Sequence, residues 1–469
     1  MSRQSDVSVQ PSGGPGRAHP TVSRRSFLAG VGAVGLAITA VGCGGQKEAP
    51  ATPTKPVEPA TLTLGLWTNP TVVEFIKKFN VEFERKYPGV TIQLQTAPTA
   101  NGAWTTLYNS LVAGKTVDIL ADYPRVPAAW PPSYTGMEIG TWNGMITSGQ
   151  LLNLSHQPFM KDYNLTLERY AMGYRNGIYG LMIGQFAHGA GVWYKRDLLN
   201  KYGLHIPGTF SEFIAQLKKF KGHGLTPVFS GAPNAFLWLG IEWQLLMQGH
   251  HPAEASTVAL RRAEAFWKGE QSWTDSVYQE TSAKYQQISQ YFEPGATGVV
   301  QLTAPGLWAT KEDDYPFFLD GSWDGPDIAK ANPELKFGYF VIPATDTQQA
   351  SRIPVSTDFT WEAPTWTKHK DLVLDYISLF SQKQNFKGWL GASSSVSLQP
   401  DVSMYQPWMS WLNANRGGFF PELFAPWVPP GAARGAALPD LSKMTPVGGM
   451  SVQQTLTQAA DAYRSSVKH

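Results

Sequence analysis

The chain has 469 residues, with 38 Lys and Arg against 36 Asp and Glu and a formal net charge of +2. That length suffices for two or three domains with a sizeable core, and a charged fraction of 16% with no basic excess argues against nucleic acid as a partner. The one cysteine, Cys43, rules out an internal disulfide and a cysteine metal cage.

The first sixty residues read as an address rather than a fold. Residues 1–22 are rich in Ser, Gly, Pro and polar groups and cannot build a core. Ser23-Arg24-Arg25-Ser26-Phe27-Leu28 follows, then the uncharged stretch Ala29–Val41. That stretch is shorter than the about 20 apolar residues a bilayer requires. A positive pair, a short apolar run and small residues at its end make a signal peptide. The arginine pair resembles the Tat export signal. Ala40-Val41-Gly42-Cys43-Gly44 resembles a lipobox, with Ala40 where that pattern prefers Leu, and implies acylation of Cys43. Gly30-Val31-Gly32-Ala33-Val34-Gly35 fits a dinucleotide fingerprint in letters only, because no strand precedes it. Residues 1–43 are thus read as a Tat-type signal peptide with lipobox, and residues 44–60, rich in Pro, Ala and Thr, as a flexible tether. Residues 1–42 carry Arg3, Arg17, Arg24 and Arg25 against Asp6, a charge of +3. Taking +3 from +2 leaves a mature chain near −1, close to neutral.

The folded region then alternates strand and helix. Leu62, Leu64 and Leu66 have strand spacing. Asn69-Pro70 offers an N-cap and a first-turn proline, and Val72, Ile76, Phe79 and Phe83 recur at helical spacing up to Tyr87-Pro88-Gly89. Val90, Ile92 and Leu94 alternate again. Trp104, Leu107, Tyr108, Leu111 and Val112 mark a second helix, expected to close at Gly114, and Val117–Leu120 a third strand. This order predicts a parallel sheet with helices on its faces. Thr209-Phe210-Ser211-Glu212 is a capping box, ahead of an apolar face made by Phe210, Phe213, Ile214, Leu217 and Phe220. Residues 251–300 read as helical and polar, 337–342 as strand, 370–381 as helix, and Ser451–Arg464 as a final amphipathic helix. Residues 400–450, rich in Pro, Gly and Trp, carry no clear period.

Seven segments stand in order along the chain: Leu64-Gly65-Leu66-Trp67, the helix ending Glu82-Phe83-Glu84-Arg85-Lys86-Tyr87-Pro88-Gly89-Val90, Val117-Asp118-Ile119, Tyr179-Gly180-Leu181, Val192 through Leu199 up to Tyr202-Gly203-Leu204, the helix Thr209–Lys221 with Gly224-Leu225-Thr226-Pro227, and Phe318-Leu319-Asp320-Gly321-Ser322-Trp323. Together they resemble the bacterial extracellular solute-binding family typified by maltose-binding and other sugar-binding proteins. The resemblance runs from about residue 61 to 469. It implies an α/β chain with the two-lobe periplasmic-binding-protein type II fold, a hinge and a ligand cleft between the lobes. By that analogy lobe I is 61–185 plus 352–392 and lobe II is 186–351 plus 393–469, with crossings near 184–189, 345–355 and 391–397. It further implies no enzyme but the extracellular binding component of an ABC importer. Such a component takes a mono- or oligosaccharide, delivers it to membrane permease subunits, is held to the outer face of the membrane by lipid, and works as a monomer without cofactor or metal.

A sugar presents hydroxyls that need donors and acceptors, and C–H faces that need flat apolar partners. The 17 Trp, 18 Tyr and 23 Phe supply rings in excess of ordinary core filling. Trp67 stands at the carboxyl end of the first strand, where open α/β sheets bind ligands; its bland reading is a core ring. Asp122 and Tyr123 follow the third strand, with an Asx-turn before Pro124 as the competing reading. Gln185, Phe186 and His188 lie at the first crossing beside Gly184 and Gly189, which permit close backbone approach. Phe236, Trp238 and Glu242 lie at helical spacing, as suited to a core as to a cleft. Trp323 and Asp324 close the segment of strongest resemblance. Trp361 follows the second crossing, and Trp408 and Trp411 lie in the Pro-rich late region. Three other readings stay open: the same scaffold holding a polyamine, amino acid or glycerol phosphate; an exported carbohydrate-active enzyme; and a surface adhesin. Glu312-Asp313-Asp314 reads as a solvated loop, His250-His251 lacks ligand spacing, and no H-E-x-x-H, G-x-S-x-G or P-loop motif occurs.

Overall fold

The computed structural model describes residues 58–98, 102–121, 140–187, 189–230, 235–251, 254–295, 303–311, 315–347, 352–404, 406–422 and 438–466. The signal peptide, Cys43 and nearly all of the tether lie outside them, as do Asp122, Tyr123 and His188.

Strand β1 (Ala60–Trp67) leads into helix α1 (Pro70–Lys86) and strand β2 (Val90–Ala97). Asn69 is extended, and its side chain accepts from the Val72 amide at 3.2 Å, so the cap is formed as its residue type predicts. α1 buries Val72, Ile76, Phe79, Asn80 and Phe83. Burial of each large apolar side chain stabilises by about 1.5–3 kcal/mol. Asn80 is an exception on that face that the apolar spacing does not announce; it accepts from the Tyr376 hydroxyl at 2.7 Å. Helix α2 (Ala103–Gly114) buries Trp104, Tyr108 and Leu111. It closes on Lys115, not Gly114: the lysine adopts the left-handed conformation at φ 51° and returns its amide to Leu111 and Val112. Strand β3 (Ile119–Leu120) is only two residues long. β1 pairs in parallel with β2 from Ala60↔Val90 to Trp67↔Ala97, and with β3 at Leu64↔Ile119. The expected parallel sheet thus has the order β2-β1-β3.

Helices α3 (Gly140–Thr147) and α4 (Leu165–Met172) and the small hairpin of β4 (Gly173–Tyr174) and β5 (Gly177–Ile178) precede strand β6 (Leu181–Ala187). Beyond it run β7 (Gly191–Lys195), α5 (Arg196–Lys201), α6 (Phe210–Gly222), β8 (Val228–Ser230), α7 (Ala235–Leu246), α8 (Ala255–Trp267), α9 (Ser276–Ser289), α10 (Ala304–Thr310), β9 (Phe317–Leu319), α11 (Gly325–Ala331) and β10 (Phe337–Val341). The capping box of α6 forms with a shift. Thr209 accepts from the Glu212 amide at 3.2 Å, but Glu212 reaches back to the Gly208 amide at 2.7 Å rather than to that of Thr209. The polar stretch 251–300 resolves into two helices, because Gly269 at φ 72° closes α8 and the Trp273–Asp275 turn restarts the chain. The second sheet, β10-β7-β9-β8, is mixed: β7 runs antiparallel to both β10 and β9, while β8 and β9 are parallel.

Strand β11 (Ile353–Trp361) pairs antiparallel with β6 from Val355↔Ala187 to Trp361↔Leu181, and in parallel with β12 (Phe419–Glu422). Helices α12 (Lys370–Phe380), α13 (Lys383–Ser393) and α14 (Ser410–Ala414) and a final helix, Val452–Ser466, complete the chain. In the late Pro-rich region only Pro407–Met409, α14, Arg416–Gly418, β12 and Leu441–Lys443 are regular among the described residues.

Two large apolar cores result. One is built on the first sheet and includes Leu62 through Phe186 and Phe359 through Leu390. The other is built on the second sheet and spans Ala187 through Val355 and the final helix. Neighbouring residues of a single strand serve different cores: Phe186 and Ala187 in β6, Val355 and Phe359 in β11. After α13 the chain alternates, with Val396 in the second core, Leu398 and Val402 in the first, and Met404 in the second again. No helix among the described residues is long and apolar enough to cross a membrane.

Candidate functional site

The segment after β9 sets the geometry where the two cores meet. Gly321 and Gly325 flank a single turn, Ser322–Asp324. The Trp323 ring folds back over Gly321, where a β-carbon would lie 2.4 Å from it, so only glycine fits. Trp323 follows a strand of the second sheet, yet its half-buried ring packs against the first core. It meets Phe186 edge-on at 5.8 Å and Phe236 edge-on at 5.7 Å. Phe186 lies tilted at 6.2 Å from Phe359, and Phe359 stacks face to face on Trp67 at 4.0 Å with the planes 15° apart. Trp104 closes an edge of Trp67 at 5.9 Å. A continuous row of rings thus runs from α2 through β1, β11 and β6 to the turn after β9 and α7.

Acidic groups border the Trp323 end of that row. The Asp320 carboxylate accepts from the Gly321 amide at 2.7 Å. Asp324 is 5% exposed, and its Oδ2 has no hydrogen-bond partner among the described residues. Burial, then the charges of Asp320 and Asp327, push its carboxyl well above the usual range. A neutral carboxyl of this kind both donates and accepts, which suits hydroxyl groups. Gln185 is buried in β6 opposite Thr357, and its carbonyl accepts from Val396 at 2.7 Å, tying the third stretch of connecting chain to the first. Gly189 abuts Gly240 of α7 so closely that a β-carbon on Gly240 would lie 2.0 Å from the Gly189 carbonyl carbon.

Three expected contacts are corrected. Trp238 is 2% exposed; its indole donates to the Ser282 hydroxyl at 3.0 Å and packs on Trp273 and Tyr278. Glu242 pairs with Arg262 in the same sealed cluster, and burial lifts its carboxyl to about 7 against the pull of that guanidinium. Trp361 is 0% exposed, edge-on to Phe380 at 5.4 Å and Tyr376 at 6.2 Å. In each case the ring or charge is consumed by core packing, the bland reading that helical spacing already allowed for Trp238 and Glu242. Trp408 is half-buried, stacked on Phe337 at 5.1 Å, with its indole donating to Ser394 at 3.0 Å. Trp411 meets Phe340 at 6.4 Å, against the second core. Phe359, Asp320 and Ser394 were not anticipated as members of the junction; nothing in their spacing separates them from ordinary strand and cap residues.

A concavity of about 1070 Å³ lies elsewhere, on the first core's outer side. Gln157–Phe159, Tyr87 and the start of α12 line it, and none of the ring row does. It mixes lysines and aspartates without a platform ring facing a buried acid, so the junction remains the better candidate site.

The sequence matches the family described as bacterial extracellular solute-binding protein over residues 67–385. Among curated proteins, the multiple sugar-binding protein of Streptococcus mutans serotype c is 20% identical over 272 residues. That match covers 58% of this chain and only 60% of the relative's own length. In fold the chain is similar to the solute-binding protein RafE in complex with raffinose, with a TM-score of 0.68 at 16% identity, covering 87% of this chain and all of that one. It is similar also to a chitin oligosaccharide binding protein (TM-score 0.65, 18% identity, 87% and 99% covered) and to a Bacillus licheniformis sugar transporter in complex with stachyose (TM-score 0.64, 14% identity, 87% and 99% covered). Two cores sharing two strands, a glycine-bracketed tryptophan where they meet and a family match over most of the folded region converge: the chain belongs to the bacterial extracellular solute-binding proteins and has their two-lobe α/β fold.

Proposed function

We propose that this chain captures a carbohydrate in the cleft between its lobes and delivers it, by lobe closure, to the permease of an ABC importer. The observation that carries the reading is Trp323, a half-buried ring in the turn after a strand of one lobe, packed against the other lobe's core and bracketed by buried acids. A ligand there gains an apolar platform and polar partners from both lobes at once, and so shifts the open–closed equilibrium. The sugar-named relatives support the same ligand class. Trp323 and Asp324 form the binding wall on one side, Gln185 and Phe186 the crossing, and Trp67 the floor beneath Phe359. Trp408 lies on the flank. Asp122, Tyr123 and His188, which the resemblance also offers as ligand contacts, fall outside the described residues. We read lobe I as 61–185 plus 352–392 and lobe II as 186–351 plus 393–469; the change of core at Phe186–Ala187 in β6 and between Val355 and Phe359 in β11 falls within a few residues of two of those divisions, while Leu398 and Val402 return to the first core.

The binding role is carried out by a monomer without chemistry at the ligand. Tat export and acylation of Cys43 hold it to the outer face of the membrane. Metabolic labelling with palmitate, lost in Cys43→Ala, tests the anchor.

A cationic ligand such as a polyamine is the second reading, favoured by Asp320, Asp324 and Asp327 beside a tryptophan. The raised Asp324 carboxyl weighs against it, since a neutral acid is a poor cation partner. Calorimetry against mono- and oligosaccharides, polyamines, amino acids and glycerol phosphate decides. Heat from sugars alone, with compaction in small-angle scattering, supports the first reading; heat from amines alone overturns it.

A further inference from the structure

Among the described residues, five that are not glycine have positive φ: Lys115, Arg175, Ala190, Phe359 and Ser394. Lys115 caps a helix and Arg175 turns the small hairpin. The other three fall on the three segments that link the cores: Ala190 after β6, Phe359 within β11, Ser394 at the end of α13. Alanine and serine are small. Phe359, at φ 36°, is bulky and sits in the middle of a strand, where the ladder runs Asp358↔Gly184 and then Thr360↔Met182, stepping over it. Such a conformation costs on the order of 1–3 kcal/mol and persists where the surroundings hold it.

The surroundings here are rings. Phe359 stacks on Trp67 at 4.0 Å, is edge-on to Trp389 at 5.0 Å and leans on Phe186 at 6.2 Å. The strained backbone therefore places a flat apolar ring on the face of Trp67, the kind of surface a sugar ring would otherwise present. Trp67 is left 6% exposed. Of the row, only Trp323 and Phe236 stay half-buried. Phe236 meets Trp323 only edge-on, so a longer ligand needs a second indole platform, and the other tryptophan with a face on the row, Trp67, is already covered by Phe359.

We propose that Phe359 is a specificity-determining residue, standing in for a sugar ring on Trp67 and restricting the cleft to a short ligand, one ring stacked on Trp323. This rests on the carbohydrate reading. The test is calorimetry of the mature protein, Phe359→Gly and Phe359→Leu against glucose, galactose, xylose, raffinose and stachyose. Glycine accepts the positive φ and uncovers Trp67; leucine keeps bulk there without a flat face. The expected result is a wild type that binds a monosaccharide at least tenfold more tightly than raffinose or stachyose. Phe359→Gly gains tenfold or more for raffinose with under threefold change for the monosaccharide, and Phe359→Leu keeps the short preference. A wild type that binds raffinose or stachyose as tightly as any monosaccharide overturns the proposal, even if both variants fail to fold. So does a Phe359→Gly variant whose ratio is unchanged. Sugar binding with either of these results leaves the carbohydrate reading standing, whereas no heat from any sugar overturns both.

Discussion

Two aromatic clusters of nearly the same composition do opposite things in this molecule. In one, Trp238, Trp273, Tyr278 and Phe266 close around Arg262 and Glu242, and the guanidinium lies over three of those rings. In the other, Trp67, Phe359, Phe186, Trp323 and Phe236 form an open row where the connecting strands meet. The first cluster is drawn from helices α7, α8 and α9 and the turn between the last two, all within one core, so its rings shield each other on every side. The second takes Trp67, Phe359 and Phe186 from the first core and adds Trp323, just after β9 of the second sheet, and Phe236 of α7, both half-buried, so that one end stays accessible. A tryptophan-rich composition therefore says little about binding; where the rings stand relative to the seam between the cores decides it.

The largest effect should come from the sealed cluster. Arg262→Ala leaves the Glu242 carboxylate buried without its partner, and should lower unfolding free energy by about 3–5 kcal/mol in urea denaturation. Ligand affinity of the folded fraction should not move. A sharp loss of affinity would erase the distinction between the clusters. Next in size is the open row. Trp323→Ala should weaken ligand binding about tenfold or more, or at least ~1.4 kcal/mol, while the melting temperature of the empty protein stays nearly constant. A large fall in empty-state stability would make Trp323 a core ring like Trp361.

The smallest effect concerns a buried acid outside both clusters. Glu168 of α4 is buried and accepts from the Met182 amide at 2.9 Å, and burial raises its carboxyl well above 4.5. The folded chain keeps a proton that the unfolded chain releases. The resulting stability is complete below pH 4.5 and is lost as pH rises through the raised value. Glu168→Gln should flatten the melting temperature between pH 4.5 and 8, by about 1.4 kcal/mol of differential stability per unit of raised pKa. Equal pH slopes in both proteins would show that the carboxyl titrates normally.

Much of the scaffold was legible in the sequence because its signals are local. Asn69-Pro70 with Val72, Ile76, Phe79 and Phe83 specifies α1 from cap to core face, and Leu62, Leu64 and Leu66 specify β1. The break between α8 and α9 was missed because Gly269 alone interrupts a polar stretch. The mixed order of the second sheet depends on pairings between β7, β9 and β10, more than a hundred residues apart, which no periodicity encodes. Trp323 drew notice through the family-like segment Phe318–Trp323, and the structure adds that Gly321 and Gly325 flank its turn. Trp238 and Trp361 were misread because a ring at a strand end or on a helix looks alike in sequence whichever way it faces. Phe359 carried no signal at all: its role comes from a backbone conformation imposed by neighbours in Trp67, Phe186 and Trp389.

The contact between Gly189 and Gly240 reaches further than close packing. The Ala190 amide also donates to the Phe236 carbonyl at 3.0 Å, so α7 is bolted by its first turns to the chain just past β6. Phe236 rides on that same helix and touches the Trp323 ring. A guest that nudges Phe236 cannot be absorbed by a slack loop; it must lever the strand by which the second half of the protein hangs from the first.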